Sequence, residues 1–234
     1  MKTLIIIPAY NEEKNIKNTV EKIKELNNLD IDYVVINDGS KDTTLDILKE
    51  NNFKYVDLPS NLGIGGAVQT GYKYAFKENY DVAIQFDGDG QHNAEFIPEM
   101  IKCIENGQDF VIGSRFLEKK GKFKSTKIRR IGIKFLGCLI KICTGRKITD
   151  PTSGFRACNR DIIKIFNNEY PSDYPEPDTI VRLIKMNRFN IKEIPVIMNE
   201  REGGKSSINA LKSIYYMIKV SLSIIISSFI KEDM

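Results

Sequence analysis

Two hydrophobic periods alternate along the first half of the chain. Short apolar runs rich in β-branched residues predict buried strands, and between them apolar residues recur every three or four positions, as on one face of a helix. The predicted strands are 4–7, 33–36, 55–58, 82–86 and 110–112, and the predicted helices are 12–26, 43–50, 65–77 and 94–105. Such alternation is typical of a mainly parallel sheet with helices on both faces. The sequence therefore predicts an α/β fold.

This alternation stops beyond about residue 115. Residues 129–143 predict a basic amphipathic helix, and its apolar stripe consists of Ile131, Phe135, Leu139 and Ile142. Residues 208–230 predict a helix that begins amphipathic and becomes almost wholly apolar or Ser from residue 220, but its uninterrupted apolar part is too short to span a bilayer. Each helix has two interpretations: it packs on the core, or it lies at a membrane surface or on a membrane partner.

Composition and charge narrow the class of protein. The chain has 234 residues, enough for one large α/β domain, and 41% hydrophobic and 28% charged residues are ordinary for a globular protein. The net charge is only +4, yet residues 119–147 contain eleven Lys or Arg and no Asp or Glu. This basic segment predicts an anionic partner: nucleic acid, a membrane surface or a phosphate-bearing substrate.

The cysteines and the N-terminal residues indicate the cellular compartment of the protein. Cys103, Cys138, Cys143 and Cys158 lack CxxC spacing and are interpreted as reduced, buried residues. The apolar run 4–7 ends at Pro8 and is too short for a signal peptide. We therefore expect a cytoplasmic protein.

A pair of carboxylates follows the predicted strand 82–86. Asp87 and Asp89 are separated by Gly88, and like charges this close repel unless a cation lies between them. A hard divalent cation would take Asp87, Asp89 and the amide oxygen of Gln91 as ligands, leaving other positions for water and phosphates. The alternative is a solvated Asp-Gly turn. His92 is open between a helix-start residue and a ligand.

Polar loops also follow the first two strands, and the carboxyl ends of parallel strands meet at one edge of a sheet. Asp38 is a candidate acceptor for a nucleoside hydrogen bond or, with Ser40 and Asp42, a helix cap. Glu12, in the loop after the first strand, is an acidic residue placed to suit a helix dipole. Glycines near Gly65 do not fit the dinucleotide spacing, so we interpret them as close packing or backbone approach near phosphates.

Six runs together resemble one family. They are PAYNEE at 8–13, NDGS at 37–40, NLGIGGA at 61–67, DGDGQH at 87–92, GSRF at 113–116 and DPTSGFR at 150–156. In this order they resemble family 2 glycosyltransferases of the GT-A fold, above all the polyprenyl-phosphate transferases. The resemblance covers residues 1 to about 207 and divides them into a nucleotide-binding half, about 1–114, and an acceptor half, about 115–207. Residues 208–234 would form a C-terminal helix.

The resemblance also implies roles for matching positions. Residues expected to hold the nucleotide and its phosphates are Pro8, Tyr10, Glu12, Asp38, Gly65, Asp87 and Gly88. Asp87, Asp89 and Gln91 would bind Mg or Mn, and Arg115, Arg130 and Arg201 would contact acceptor or donor phosphates. Asn37 in place of the commoner Asp, and Ile64 where many relatives carry Lys, depart from the pattern.

The implied reaction is inverting transfer of a hexose or N-acetylhexosamine from a nucleotide sugar, with UDP favoured over GDP, to undecaprenyl phosphate on the cytoplasmic membrane face. A lipid phosphate arrives ionised and needs no general base. One alternative is a sugar hydroxyl acceptor, with Glu176 or Asp178 as base. Another is a non-catalytic scaffold for membrane or nucleic acid, which the intact aspartates disfavour. A membrane-spanning partner protein and a homo-oligomer are left open, and no nucleic acid is expected.

Overall fold

The structure is a computed structural model, and it describes residues 1–26, 30–117, 127–199 and 210–229. Arg201 and part of the basic segment, residues 119–126, lie outside the described residues.

One mixed sheet forms the centre of the described part. Its strands are β1 Thr3–Ala9, β2 Ile31–Asn37, β3 Tyr55–Asp57, β4 Val82–Gln85, β5 Phe110–Ser114, β6 Arg156–Asn159 and β7 Ile191–Pro195, in the order β3-β2-β1-β4-β6-β5-β7. The pairs β1–β2, β1–β4, β2–β3 and β5–β7 are parallel. Strand β6 is antiparallel to both of its neighbours, β4 and β5.

Helices cover both faces of this sheet. They are α1 Ile16–Lys24, α2 Thr44–Glu50, α3 Gly63–Lys77, α4 Ile97–Glu105, α5 Lys127–Thr144, α6 Arg160–Asn168, α7 Pro175–Lys185 and α8 Ala210–Phe229. One apolar core lies between the sheet and α1, α2 and α4, and the other between the sheet and α3, α5, α6, α7 and α8. The predicted α/β fold and its five strands are confirmed.

The expectation that the alternation stops near residue 115 is wrong, because β6, α6, α7 and β7 follow α5. Strand β6 was missed since Arg156-Ala-Cys-Asn159 is short and begins and ends in polar residues. Arg156 is nevertheless buried; its guanidinium donates to Ser153 O at 2.6 Å, Thr179 Oγ1 at 2.8 Å and Pro151 O at 3.2 Å. These acceptors lie outside the four residues of β6 and surround the guanidinium only in the folded chain. The pattern of residues within the strand therefore does not reveal them.

Helix α5 is apolar on two sides. The side chains that face the core are Ile133, Leu136 and Ile140, whereas most of the predicted stripe faces outward, with Ile142 76% exposed. Cys138 on the same helix is exposed, which corrects the expectation that it is buried. The period of 3.6 was therefore right, but it did not reveal which apolar side meets the core.

Helix α8 likewise has an inner and an outer side. Val220, Ile224 and Ser227 are buried against the protein, and α8 packs on α7 and α5. Its exposed residues, among those whose side chains are described, are Tyr215, Ile218, Leu222, Ile225, Ile226 and Phe229. No helix in the described ranges combines the length and the apolar character needed to cross a bilayer.

Candidate active site

A cleft of about 360 Å³ lies at the carboxyl ends of β1, β2 and β4. This is where the strand order changes direction, because β2 lies on one side of β1 and β4 on the other. The lining residues are Pro8, Ala9, Tyr10, Glu12, Asp38, Asn61, Gly63, Ile64, Ala67, Asp87, Gly88 and Asp89. The structure thus brings together most of the residues expected to hold a nucleotide.

The loops after β1 and β2 hold each other in place. Asn11 N donates to Ser40 Oγ at 3.0 Å, and Lys41 N donates to Asn11 Oδ1 at 2.8 Å. Glu12 N donates to Thr44 Oγ1 at 2.9 Å, and Glu12 accepts a 2.8 Å bond from the Asn15 side chain. Glu12 lies before α1 begins, so it is a loop residue at the cleft.

Asp38 caps a helix, but not the helix that follows it in sequence. Its carboxylate oxygens accept Leu62 N at 2.7 Å and Gly63 N at 3.0 Å, at the start of α3. Burial raises the pKa of Asp38, and the two backbone bonds oppose that rise only in part. Asp42 takes the local role, accepting Thr44 N at 3.0 Å where α2 begins. Asp38 therefore fixes α3 against the cleft while lining it.

Asp87 and Asp89 lie beyond the end of β4, and both are partly exposed. Gln85 Nε2 donates to Asp87 Oδ1 at 3.2 Å, and Gln91 N donates to Asp89 Oδ1 at 3.1 Å. Gly88 N donates to Pro8 O at 3.2 Å, which joins this loop to β1. Two carboxylates are thus presented to the cleft by a loop that is bonded at both ends.

These groups fit a divalent cation that shares its ligands with a substrate. No cluster of three or more His, Cys, Asp or Glu side chains suited to a metal occurs among the described residues. A site of two aspartates has an incomplete shell, and Mg²⁺ is commonly held by one or two carboxylates plus substrate phosphates and water. The Gln91 side chain is the third candidate ligand. The donor set, all oxygen, suits Mg or Mn.

Arg115 forms a buried ion pair instead of an exposed contact. Its Nε and Nη2 donate to the two oxygens of Asp150 at 2.6 and 2.7 Å, and Nη2 also donates to Thr152 Oγ1 at 2.9 Å. Burial would lower the pKa of Arg115, but the bond to Asp150 and the charges of Asp150 and Asp87 outweigh it and raise that pKa. Its predicted phosphate contact stays a prediction.

Glu193 on β7 holds the backbone next to the Arg115–Asp150 pair. Its carboxylate accepts Thr149 N at 2.9 Å and Asp150 N at 3.0 Å. The DPTSGFR segment is therefore held by β7 on one side and by Arg156 on the other.

Arg130, at the start of α5, was expected to contact a phosphate, and Arg129 lies next to it in sequence. The pKa of Arg129 is lowered, first by lost hydration and then by the charge of Arg115, and the charges of Asp150 and Asp89 act in the opposite sense. Arg129 is thus close to the acidic loop, a placement that sequence spacing did not single out. Arg129 and Arg130 are both exposed at the start of α5. Arg201 lies outside the described residues.

Glu176 and Asp178, the candidate bases, have different surroundings. Burial raises the pKa of Glu176, although the charge of Arg156 opposes the rise; the charge of Asp87 raises it further. Asp178 accepts a short bond from Ser227 of α8 and lies 3.6 Å from Arg182 Nε. Asp178 therefore joins α8 to α7 by a hydrogen bond. Of the two candidates, Glu176 is the one whose pKa is affected by the charge of Asp87 in the cleft.

Two glycines permit close approach around the site. A Cβ on Gly65 would lie 2.2 Å from the carbonyl oxygens of Pro171 and Ser172, so Gly65 packs α3 against the loop before α7. A Cβ on Gly154 would lie 2.8 Å from Asp87 Oδ2. Sequence reasoning expected Gly65 to serve phosphates or packing and did not identify Gly154 or Asn61. The SGF run in the second half was the available signal for Gly154.

The family follows from a match across most of the fold. The sequence profile of Glycosyl transferase family 2 matches residues 4–166, more than half of the chain. The chain belongs to glycosyl transferase family 2. It is 34% identical over 215 residues to the UDP-N-acetylglucosamine–dolichyl-phosphate N-acetylglucosaminyltransferase of Methanococcus voltae, covering 82% of this chain and 83% of that protein. It is 28% identical over 218 residues to the undecaprenyl-phosphate mannosyltransferase of Micrococcus luteus, covering 89% and 88%.

The fold of this family 2 glycosyltransferase also matches solved structures. Glucosyl-3-phosphoglycerate synthase from Mycobacterium tuberculosis, crystallised with Mg²⁺ and UDP, superposes with a TM-score of 0.75, 16% identity, and coverage of 99% of this chain and 80% of that one. At that identity the likeness concerns the fold alone, and it confirms the predicted GT-A architecture.

Proposed function

We propose that this transferase moves a hexose or N-acetylhexosamine from a nucleotide sugar, UDP-linked, to a polyprenyl phosphate with inversion at the anomeric carbon. The observation that carries the proposal is one cleft at the switch point of the sheet, lined by Tyr10, Asp38, Asp87 and Asp89. The curated relatives named above, which match most of the chain, carry dolichyl phosphate or undecaprenyl phosphate in their names.

The donor would occupy the cleft with its nucleoside toward Tyr10 and Asp38 and its diphosphate toward Asp87 and Asp89. Asp87, Asp89 and Gln91 would hold Mg or Mn, which supplies positive charge to the departing diphosphate. Asp38 spends two acceptor sites on α3, and each carboxylate oxygen retains a second lone pair for a donor on the nucleoside. This side of the cleft therefore selects and orients the donor.

The acceptor needs positioning more than activation. A phosphate monoester is largely ionised at neutral pH, so its oxygen can attack without a base. Arg129 and Arg130 at the start of α5, and Arg201 beyond the described residues, would hold that phosphate, with Arg115 adding charge from its buried pair. Holding both reactants in line reduces the barrier by removing the entropy of their encounter.

A membrane surface would supply the lipid. The outer sides of α5 and α8 expose large apolar residues, among them Ile131, Phe135, Ile218 and Phe229, beside basic residues such as Arg130. Apolar side chains flanked by Lys and Arg suit a helix that lies in the headgroup region of an anionic leaflet. We place the enzyme on the cytoplasmic face of the membrane.

The test is direct synthesis. Purified protein, Mn²⁺, polyprenyl phosphate in vesicles and single nucleotide sugars are combined, and the lipid products are identified by mass. We expect one glycosyl-phosphate lipid, and a loss of at least about a thousandfold in the double variant Asp87→Asn/Asp89→Asn, because several kcal/mol of charge stabilisation disappear. Asp161→Asn, an exposed aspartate on α6, is the matched control. A double variant as active as that control contradicts the proposal.

A second candidate is transfer to a sugar hydroxyl with Glu176 as general base. The raised pKa of Glu176 favours it, because a base works best with a pKa near the working pH. Glu176→Gln would abolish transfer to a hydroxyl acceptor and leave transfer to a polyprenyl phosphate within a small factor.

A further inference from the structure

His92 contacts both the main chain and the side chain of Asp87. Asp87 N donates to His92 Nδ1 at 3.0 Å, and His92 Nε2 lies 3.5 Å from Asp87 Oδ2. Because Nδ1 accepts, the proton of the neutral imidazole must be on Nε2, the nitrogen that faces the carboxylate. The His92 ring therefore restrains the position of both the backbone and the side chain of Asp87.

The ring itself cannot easily turn. His92 is only 3% exposed and stacks on Phe155 with a centroid distance of 4.9 Å and an interplanar angle of 16°. Phe86 meets the His92 ring edge-on at 5.3 Å and meets Phe155 edge-on at 5.4 Å. These three rings come from the loop after β4 and from the segment that enters β6.

Two further groups enclose the Asp87 carboxylate. Gln85 Nε2 reaches Oδ1 at 3.2 Å, and Gly154 leaves the space that a Cβ would fill at 2.8 Å from Oδ2 and 3.2 Å from Oδ1. With His92 near Oδ2, the carboxylate is bounded on three sides and open toward the cleft.

We infer that His92 is a positioning residue that, with Gly154, holds the Asp87 carboxylate in the orientation needed to bind the cation of a metal–nucleoside diphosphate. The inference rests on the proposed function, since it assumes that Asp87 is a metal ligand. It assigns to His92 neither a ligand role nor a helix-start role, the two that the sequence left open.

The experiment measures cation binding without turnover. MnCl₂ is titrated into the full-length protein in the presence of UDP, with GDP in parallel, and unbound Mn²⁺ is followed by its electron paramagnetic resonance signal. Uridine affinity, in the absence of UDP and GDP, and thermal unfolding are measured on the same protein preparations. His92→Phe keeps a stacked ring and removes both nitrogens, whereas His92→Asn restores an acceptor near the Nδ1 position. Gly154→Ala crowds the carboxylate without altering His92.

For His92→Phe and Gly154→Ala we expect Mn²⁺ affinity to fall about 10- to 100-fold, as for other residues that orient metal ligands, while uridine affinity stays within about twofold. His92→Asn should recover part of the His92→Phe loss. Unchanged Mn²⁺ affinity in His92→Phe overturns the inference, as does an equal loss of uridine affinity or an Asn variant as weak as Phe. If His92→Phe does not fold, Gly154→Ala decides the question. Unchanged Mn²⁺ affinity in Gly154→Ala, or an equal loss of its uridine affinity, then overturns the inference. Failure of the wild type to bind Mn²⁺ with either nucleotide would instead refute the proposed function.

Discussion

Acidic side chains are satisfied differently on the two sides of β4. Around the cleft, Asp38 accepts the backbone N–H groups of Leu62 and Gly63 at the start of α3, and Asp89 accepts the backbone N–H of Gln91 in its own loop. Beyond β6, Asp150 is buried against the Arg115 guanidinium. A carboxylate held by N–H groups can line a cleft, whereas one held by a buried arginine ties segments together. A charged residue within a sequence motif can therefore stabilise the fold without contacting the substrate.

The largest expected effect concerns the buried pair. Asp150→Leu should lower the free energy of unfolding by about 3–5 kcal/mol, because Arg115 is left buried without its counter-ion. Urea unfolding measures the change. The double variant Arg115→Met/Asp150→Leu should regain much of that stability, since no charge is then stranded.

The same double variant separates the two roles of Arg115. If Arg115 also contacts a phosphate, transfer will stay impaired although stability returns. Recovery of both stability and activity would mean that Arg115 is structural only.

Contact between the two sides is tested at Gly65. Gly65→Ala should cost about 1–3 kcal/mol of unfolding free energy, because the added methyl meets backbone oxygens of the loop before α7 rather than a movable side chain. Gly132→Ala, also within a helix, is the control, since its methyl would meet only the movable end of the Met217 side chain, 3.3 Å away at Sδ. Equal stability of the two variants would show that the loop yields without cost.

The cap on the cleft side should give a smaller effect. Asp38→Ala should cost about 0.5–2 kcal/mol, the usual range for loss of a helix cap, and should weaken UDP binding. Asn159→Ala removes a cap at the start of α6, where Asn159 Oδ1 accepts Ile162 N at 3.1 Å away from the 360 Å³ cleft, and should cost a similar amount with UDP affinity retained. Calorimetry with UDP distinguishes them; parallel losses of UDP affinity would contradict a nucleotide role for Asp38.

The smallest effect is a pH dependence at Glu176. Burial raises its folded pKa above the ordinary 4.5, so the native state binds its proton more tightly than the unfolded chain does. Its contribution to stability therefore falls as pH rises from 4.5 through the folded pKa. Glu176→Gln should become progressively more stable relative to the wild type as pH rises above 4.5 through the folded pKa. A stability difference that is flat over this range would show that Glu176 is well hydrated.

The patterns that predicted most reliably were local ones. Apolar runs identified the five strands through Phe110–Ser114, and the position of Asp87 directly after such a run placed it at the cleft. The failures were non-local. Strand β6 is stabilised by pairing with β4 and β5 and by the hydrogen bonds of the buried Arg156. The order of its four residues predicts neither the pairing nor the burial.

The α/β alternation, the edge at which the polar loops gather and the pair of aspartates at that edge can be read from the amino-acid sequence, because strand period and strand ends are properties of contiguous residues. Three arrangements arise only in the folded chain: Asp38 caps α3, Asp150 binds Arg115, and His92 and Gly154 enclose Asp87. Those contacts join residues that are adjacent only after the sheet has formed, or depend on a ring whose orientation is fixed by packing against Phe155 from the segment before β6.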